Sequence, residues 1–279
     1  MSNPQDIPID PHPFYQDPHE IFEDYCNEGR IFEPIGKLIS SNKPICPKFV
    51  RFVCISDTHE MMADLLPRIP PGDVLVHCGD FTNYGEKEQI LKFDQELGKL
   101  PHKHKIVIAG NHEFGFEGNE DWVLREQRFK GKGTDKGYEL LTNCTYLHDS
   151  SVSIYGINIY GSPWHPKNGF SFYQKRGEDI LQKWHQIPLD TDILLTHTPP
   201  LGHGDSVNGI RTGCAELLNT VEKRVQPKYH IFGHIHESPG ISTNNKTIFI
   251  NAASCDRFRR IGNEPIIFDY PLPEGFSKD

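Results

Sequence analysis

Short apolar runs recur along the chain from about residue 48, and polar or glycine-rich loops separate them. Runs of this length predict buried strands, at residues 52–55, 74–77, 106–109, 193–196 and 230–232. Two other segments have near-helical spacing, namely Ile90, Phe93, Leu97 and Leu100, and then Leu217, Leu218, Val221 and Val225. Strands that alternate with helices indicate an α/β fold.

Further strands are predicted in the second half of the chain. Residues 152–154 and 157–160 flank Tyr155-Gly156 and are typical of a hairpin. Residues 247–250 and 266–268 supply two more apolar runs.

Residues 1–47 contain 8 of the 22 prolines and show no sustained period, so they are predicted to be an N-terminal extension, with one domain over residues 48–279. The aromatic residues of the extension leave open whether it lies along that domain. Residues 114–137 are polar and rich in glycine, with a possible helix at residues 121–129. We interpret this segment as a surface excursion and a candidate lid.

Composition excludes several classes of protein. No run approaches the roughly 18 apolar residues that span a bilayer, and the first residues lack the pattern of a signal peptide. Seven cysteines without a CxxC pair are typical of reduced thiols, so a cytoplasmic location is expected. The net charge of −9 disfavours a nucleic-acid partner. Histidine is unusually frequent, with fifteen residues, and imidazole is a common metal ligand.

Five short motifs follow predicted strands, in the order DTH, GD, GNHE, TH and GHIH. Each one offers oxygen or imidazole ligands. Loops at the carboxyl ends of neighbouring strands converge in an open α/β sheet, so the motifs are expected to form one cluster. DxH or GD alone is a weak signal, but the joint occurrence of all five after strands is a strong one.

The motifs resemble the pattern of the calcineurin-like metallophosphoesterase superfamily, over roughly residues 51–268. The runs RFVCISDTH, LVHCGDFT, KIVIAGNHE, DILLTHTPPLG and HIFGHIHE are closer to the animal metallophosphoesterase-domain-containing (MPPED) proteins. The resemblance implies a four-layer αββα sandwich, in which two mixed sheets are flanked by helices. It also implies a phosphodiesterase that hydrolyses small phosphodiesters, with cyclic nucleotides as the substrate class.

The same resemblance implies a dinuclear metal centre. The ligands of one ion would be Asp57, His59 and His236, and those of the other Asn111, His197 and His234. Asp80 would bridge both ions and offset their repulsion. Nitrogen and oxygen ligands favour manganese, iron or zinc, and manganese is the first expectation. A metal-bound hydroxide would then attack the phosphorus in line.

His112 resembles the histidine that contacts the phosphate in this superfamily and protonates the departing alkoxide, and Glu113 would orient it. Asn111, His112, Trp164 and His165 are the predicted substrate contacts. Other signals are weaker. His102 and His104 are interpreted as a solvated loop, and His77 and Cys78 as core residues.

Three alternatives stay open. A protein phosphatase is disfavoured because GDFTNYG lacks the GDxxDRG continuation of that branch. A phosphomonoesterase would use the same ligands. A nucleotide-binding or scaffold protein would keep the fold with little turnover, although all seven ligand positions and His112 are filled. Sequence does not address the oligomeric state.

Overall fold

A computed structural model of the chain describes residues 7–40, 42–118, 120 and 127–278. Its strands are, in chain order, β1 Glu33–Ile35, β2 Phe49–Ile55, β3 Val74–Cys78, β4 His104–Ile108, β5 Thr145–Leu147, β6 Ser150–Ile154, β7 Ile157–Ser162, β8 Ile193–Thr196, β9 Ser206–Val207, β10 Ile210–Arg211, β11 Tyr229–Phe232, β12 Gly240–Thr243, β13 Ile248–Asn251 and β14 Ile266–Pro271.

These strands form two mixed sheets and a small hairpin of β9 and β10. The first sheet has the order β14-β2-β3-β4-β5, in which β2 to β5 are parallel and β14 is antiparallel. The second has the order β1-β12-β13-β11-β8-β7-β6, with parallel pairing from β7 through β8 and β11 to β13.

Alternate residues of each strand face different layers, because side chains in a strand point to opposite faces. In β2, Phe52 and Cys54 pack in the core between the two sheets, where Ile193 and Ile231 of the second sheet also lie. Val53 and Ile55 of the same strand pack in the outer core, against the helices. The two sheets therefore stack face to face.

The helices cover the outer faces of the two sheets. They are α1 Pro18–Asn27, α2 Met62–Leu65, α3 Lys87–Gly98, α4 Glu178–Trp184 and α5 Ala215–Thr220, and a π-helical turn over Val221–Val225 continues α5. Short 3₁₀ turns occupy Leu66–Arg68, Gln127–Phe129 and Gly137–Leu140. The α/β class and the sandwich of two mixed sheets with flanking helices are confirmed.

The five principal strands predicted from sequence are all present, and each agrees with its predicted bounds to within three residues. The hairpin is present as β6 and β7, and both helical patterns lie on helices, in α3 and in α5 with its π-helical continuation. Sequence reasoning did not predict α1, α4 or the short strands β1, β5 and β12.

The N-terminal extension packs on the rest of the chain. Asp17 caps α1 by accepting hydrogen bonds from the backbone of His19 and Glu20, and Pro18 occupies the first helical turn. Aspartate followed by proline is a helix-start signal that the sequence contained. Ile21 and Tyr25 of α1 are buried against α5 and the loop after β8, and β1 pairs with β12.

Most described residues of the segment at 114–137 are exposed or half-buried, as a surface excursion requires, but its three phenylalanines are not. Phe114 and Phe116 are fully buried, and Phe129 is 6% exposed. Phe114 and Phe129 pack with Phe170 in a separate aromatic cluster. Most of the predicted helix at 121–129 lies outside the described residues, which resume with the 3₁₀ turn at Gln127–Phe129.

We expect Ile21→Ala to lower the free energy of unfolding by about 2–5 kcal/mol, because it removes a buried side chain from the contact between α1 and α5. Leu91→Ala, on the exposed face of α3, is the matched control and should change stability by no more than about 0.5 kcal/mol. Urea denaturation followed by circular dichroism measures both. An equally small change in the two variants would contradict the packing of α1.

Candidate metal centre

The predicted ligands share one position in the fold, because each lies in a loop after the carboxyl end of a parallel strand. In chain order these strands are β2, β3, β4, β8 and β11, and the ligands are Asp57, His59, Asp80, Asn111, His197, His234 and His236. A backbone bridge between Ser56 and Ala253 joins the two sheets at this edge. Residues from both sheets therefore meet in one place.

Three of the predicted ligands form a first cluster. The donor atoms of Asp57, His59 and His236 all lie within 4.8 Å of one another. His236 Nε2 is 3.1 Å from Asp57 Oδ1, and the Nε2 atoms of His59 and His236 are 3.3 Å apart. One carboxylate and two imidazoles that converge in this way suit a divalent cation.

A second cluster lies beside the first. Donor atoms of Asp80, His197 and His234 also lie within 4.8 Å of one another. Asn111 Oδ1 is 3.0 Å from His197 Nε2, so the amide belongs to this cluster. Asp80 also lies within the same limit of His59 and His112. The Asp80 carboxylate is thus close to ligand atoms of both clusters.

Two glycines make this convergence possible. A Cβ atom at Gly110 would contact Asp80 Oδ1 and come within 2.6 Å of His197 Cε1. A Cβ atom at Gly233 would overlap the Asp57 carboxylate and the Ser56 hydroxyl. Larger residues would therefore push the ligands apart.

The backbone is also unusual at four of the ligands. Asp57, His59, Asp80 and His234 all have positive φ angles, between 41° and 68°. Such angles are uncommon for residues other than glycine. They persist where the surrounding structure enforces them, and they concentrate at functional sites.

The histidines balance the buried carboxylates. Burial alone would raise the pKa of Asp57, but the hydrogen bond and charge of His236 outweigh burial and lower it. Burial alone would lower the pKa of His197, but Asp80 and Asp57 raise it to about 9. Divalent cations could supply the same compensation, because metal binding displaces protons from such ligands.

Glu113 has a different role from the predicted one. Its carboxylate accepts hydrogen bonds from the backbone N–H groups of Asp80 (2.8 Å), Thr82 (2.9 Å) and Gly110 (2.6 Å), and from the Thr82 hydroxyl. Burial, reinforced by the Asp80 charge, raises the pKa of this carboxyl, and the hydrogen bonds from Thr82 and Gly110 oppose that rise. Glu113 therefore holds the loops after β3 and β4 together and does not contact the His112 imidazole.

His112 is oriented by the backbone instead. Its Nδ1 donates to the carbonyl oxygen of Asn83 at 2.7 Å, and its own N–H donates to Asp80 Oδ1 at 2.8 Å. Burial lowers the pKa of the imidazole, and the Asp80 carboxylate opposes that shift. The ring packs against Phe170, with the centroids 5.3 Å apart.

The two further predicted substrate residues differ in position. The His165 ring is buried and stacks on His234, with centroids 5.8 Å apart, so it adjoins the second cluster. Trp164 donates to Asp149 and packs against Phe172 and Lys183. These contacts are typical of a core residue.

Some of the weaker predictions need correction. His102 is buried at 3% exposure and His104 lies in β4, so this HxH pair is not a solvated loop. His77 is a buried residue as expected, and its Nε2 lies 3.0 Å from the hydroxyl of Thr58. Thr58 stands between the ligands Asp57 and His59, so His77 supports the loop that carries them.

Sequence reasoning missed Arg259. Its guanidinium lies 3.2 Å from Nε2 of His112, although the two residues are 147 positions apart. The arginine belongs to a loop after β13 that carries none of the five motifs, and an exposed arginine in a polar loop gives no signal in a single sequence.

Two stacked mixed sheets bring carboxylate, amide and imidazole side chains to one edge, which is typical of a metal-binding protein of the αββα type. The family model described as Calcineurin-like phosphoesterase matches residues 50–238, and the chain belongs to that family. This range contains all seven predicted ligands and His112. Membership supports metal-dependent phosphoester hydrolysis.

Individual relatives agree with the family. A UPF0046 protein of Caenorhabditis elegans is 55% identical, over 95% of this chain and 96% of its own. Metallophosphoesterase domain-containing protein 1 of Homo sapiens is 42% identical, over 93% of this chain and 84% of its own. The resemblance to the MPPED proteins is therefore confirmed. Among the described residues, no helix has the length and apolar character needed to cross a membrane.

We expect Glu113→Gln to weaken divalent metal binding by about 10–100-fold, because an amide in place of one carboxylate oxygen turns an N–H donor toward backbone N–H groups. Glu88→Gln, an exposed site on α3, is the control. Calorimetric titration of the metal-free protein with Mn²⁺ measures the affinity. Wild-type affinity in Glu113→Gln would show that the loops do not depend on this carboxylate.

Proposed function

We propose that the chain is a phosphodiesterase with a dinuclear metal centre that hydrolyses small phosphodiesters, with cyclic nucleotides as the substrate class. The observation that carries the proposal is the position of Asp80, whose carboxylate is within 4.8 Å of donor atoms in both ligand clusters. A carboxylate shared between two cations offsets their mutual repulsion, which a neutral side chain would not do.

Asp57, His59 and His236 would hold one ion, and Asn111, His197 and His234 the other, with Asp80 between them. When bound, divalent ions would supply a water-derived nucleophile at neutral pH and would offset charge on the phosphoryl group. Manganese is our first choice, and iron or zinc would suit the same oxygen and nitrogen ligands.

His112 is the proposed proton donor to the leaving alkoxide. Its Nδ1 is engaged by the Asn83 carbonyl, so Nε2 is the atom that would exchange a proton with the substrate. The Nδ1 bond to the Asn83 carbonyl and the neighbouring ring of Phe170 orient the imidazole, and the bond from the backbone N–H to Asp80 fixes the main chain of the residue. A positioned acid of this kind contributes about 10²–10⁴ in rate.

A groove beside the first cluster supports a diester substrate. It has a volume of about 500 Å³, and its lining includes His236, Asn208, Glu237 and Asp256. The groove offers space for the organic group on the second side of a phosphodiester. The wall carries Arg257 as well as Glu237 and Asp256, and Asp256 is paired with Arg260, so the size of the groove and not its charge is the feature that supports a diester.

Other outcomes are tested by the same experiments. A phosphomonoesterase would use the same ligands, and a nucleotide-binding or scaffold protein would keep metal and nucleotide with little turnover. A cytoplasmic site of action, expected from the cysteine usage, belongs to the proposal.

With Mn²⁺ bound, the protein should cleave bis(p-nitrophenyl) phosphate with a higher kcat/KM than p-nitrophenyl phosphate, because the groove accommodates a second organic group. Release of nitrophenol measures both rates, and a panel of 2′,3′- and 3′,5′-cyclic nucleotides then tests the substrate class. A preference for the monoester would reject the diesterase assignment. Tight nucleotide binding without turnover would favour the scaffold function.

His112→Asn should retain bound metal and lose about 10²–10⁴ in kcat, because it removes the proposed proton donor and leaves the ligands intact. Asp80→Asn should lose tight binding of both ions, because it removes the shared carboxylate. Metal content by mass spectrometry and diester turnover separate the two effects. His185→Asn and Asp179→Asn, at exposed positions on and beside α4, are the controls. Full activity in either site variant would reject the role assigned to that residue.

A further inference from the structure

We infer that Arg259 binds the phosphoryl oxygens of the substrate beside His112, as a recognition residue outside the metal ligands. This inference rests on the proposed function, because it assigns a binding residue to the same site. The observation behind it is the contact between the Arg259 guanidinium and the imidazole of His112.

That contact fixes the direction of the hydrogen bonds. A guanidinium can only donate, so His112 Nε2 accepts from Arg259 Nη2 at 3.2 Å. The proton of the ring is then on Nδ1, which agrees with the bond from Nδ1 to the Asn83 carbonyl. Arg259 Nη1 donates to Oδ1 of Asn83 at 3.2 Å, so the side chains of Asn83 and His112 together hold the guanidinium in place.

The loop around Arg259 is organised by its own backbone. The Asp256 carboxylate accepts hydrogen bonds from the backbone N–H groups of Phe258 and Arg260. The backbone of Asp256 also donates to Arg260, and Cys255 pairs with Ile261. The loop is therefore closed at its base.

Within this loop, Arg259 has a φ of 56°, which is costly for a long side chain. The same backbone that imposes this angle directs the guanidinium toward His112.

The guanidinium can accept a further partner. Arg259 is exposed. Its hydrogen bonds to described residues use two of the five N–H donors of the guanidinium. A planar fork of donors suits two phosphoryl oxygens at once, which an ammonium group does not match. In the structure Arg259 Nη2 occupies Nε2 of His112. Proton donation from Nε2 to a leaving oxygen therefore requires a protonated ring and a shift of Arg259 Nη2 from the imidazole to the phosphoryl oxygens. A phosphoryl group beside Nε2 would lie within reach of Arg259.

The ligand class follows from this chemistry. Arg259 would recognise the phosphate itself, whereas the groove beside His236 would receive the organic group. Inorganic phosphate, which carries only the recognised part, is therefore a direct probe of Arg259.

The test measures phosphate binding by calorimetry in the Mn²⁺-loaded full chain, for the wild type and for Arg259→Gln, Arg259→Lys and Arg260→Gln. Arg260→Gln is the matched control. It removes the same charge from the neighbouring residue, whose side chain pairs with Asp256 at the surface. Metal content and melting temperature should be the same in all four proteins.

We expect Arg259→Gln to weaken phosphate binding by about 10–100-fold, Arg259→Lys to recover part of the loss, and Arg260→Gln to stay within about twofold, since hydrogen bonds to charged groups depend on direct contact. With a diester substrate, KM should rise more than kcat falls. Unchanged phosphate binding in Arg259→Gln, an equal loss in Arg260→Gln, or no phosphate binding by the wild type would each overturn the inference.

The two proposals fail separately. Phosphate binding that depends on Arg259, in a protein that hydrolyses no diester, would remove the proposed activity and leave the role of Arg259 in place. Diester hydrolysis with phosphate binding that ignores Arg259 would do the reverse.

Discussion

The structure depends on the burial of two aspartates beside one another. Asp57 and Asp80 are both almost fully buried, and a carboxylate in such a place is unstable unless positive charge or hydrogen-bond donors surround it. Here the donors are backbone N–H groups and the positive charge comes from histidines or from bound cations. The glycines and the positive φ angles of the surrounding loops bring these donors and histidines close to the two carboxylates.

Glu113 adds a third carboxylate and shows how the requirement reaches into the fold. Its carboxylate accepts hydrogen bonds from three backbone N–H groups in two loops. One of these N–H groups belongs to Asp80. The buried Glu113 side chain therefore helps to position Asp80, whose carboxylate lies between the two clusters. Backbone donors also satisfy Asp57, which accepts from the N–H of His234. Each sheet thus helps to hold the ligands of the other.

Much of this site could be predicted from sequence because strand ends and ligands coincide. A β-branched run followed by Asp57 and His59, or by Asn111 and His112, places chemistry at a known edge of a parallel sheet. The partner of His112 could not be predicted in the same way. The family resemblance implied that Glu113 orients His112, but the backbone turn after β4 directs the carboxylate toward the loop of Asp80.

Elements without long apolar runs were also missed, for physical reasons. β1 contains Pro34 and has three residues, which suits an edge strand but gives no alternating pattern. His102 precedes a lysine in the sequence, but His102 is buried in the folded chain. In both cases contacts between distant parts of the chain outweigh local preference, and a local pattern does not contain that information.

The site consists of residues at strand ends and of residues in a separate loop. The proposed metal ligands lie after strand ends, where the sheets fix their positions, and the family match at residues 50–238 covers them. The loop with Asp256 and Arg259 lies beyond that range, and it forms one wall of the groove beside His236. Loops of this kind can change without disturbing the sheets. If the proposed roles hold, the residues that bind metal and those that contact the organic group lie in separate parts of the chain.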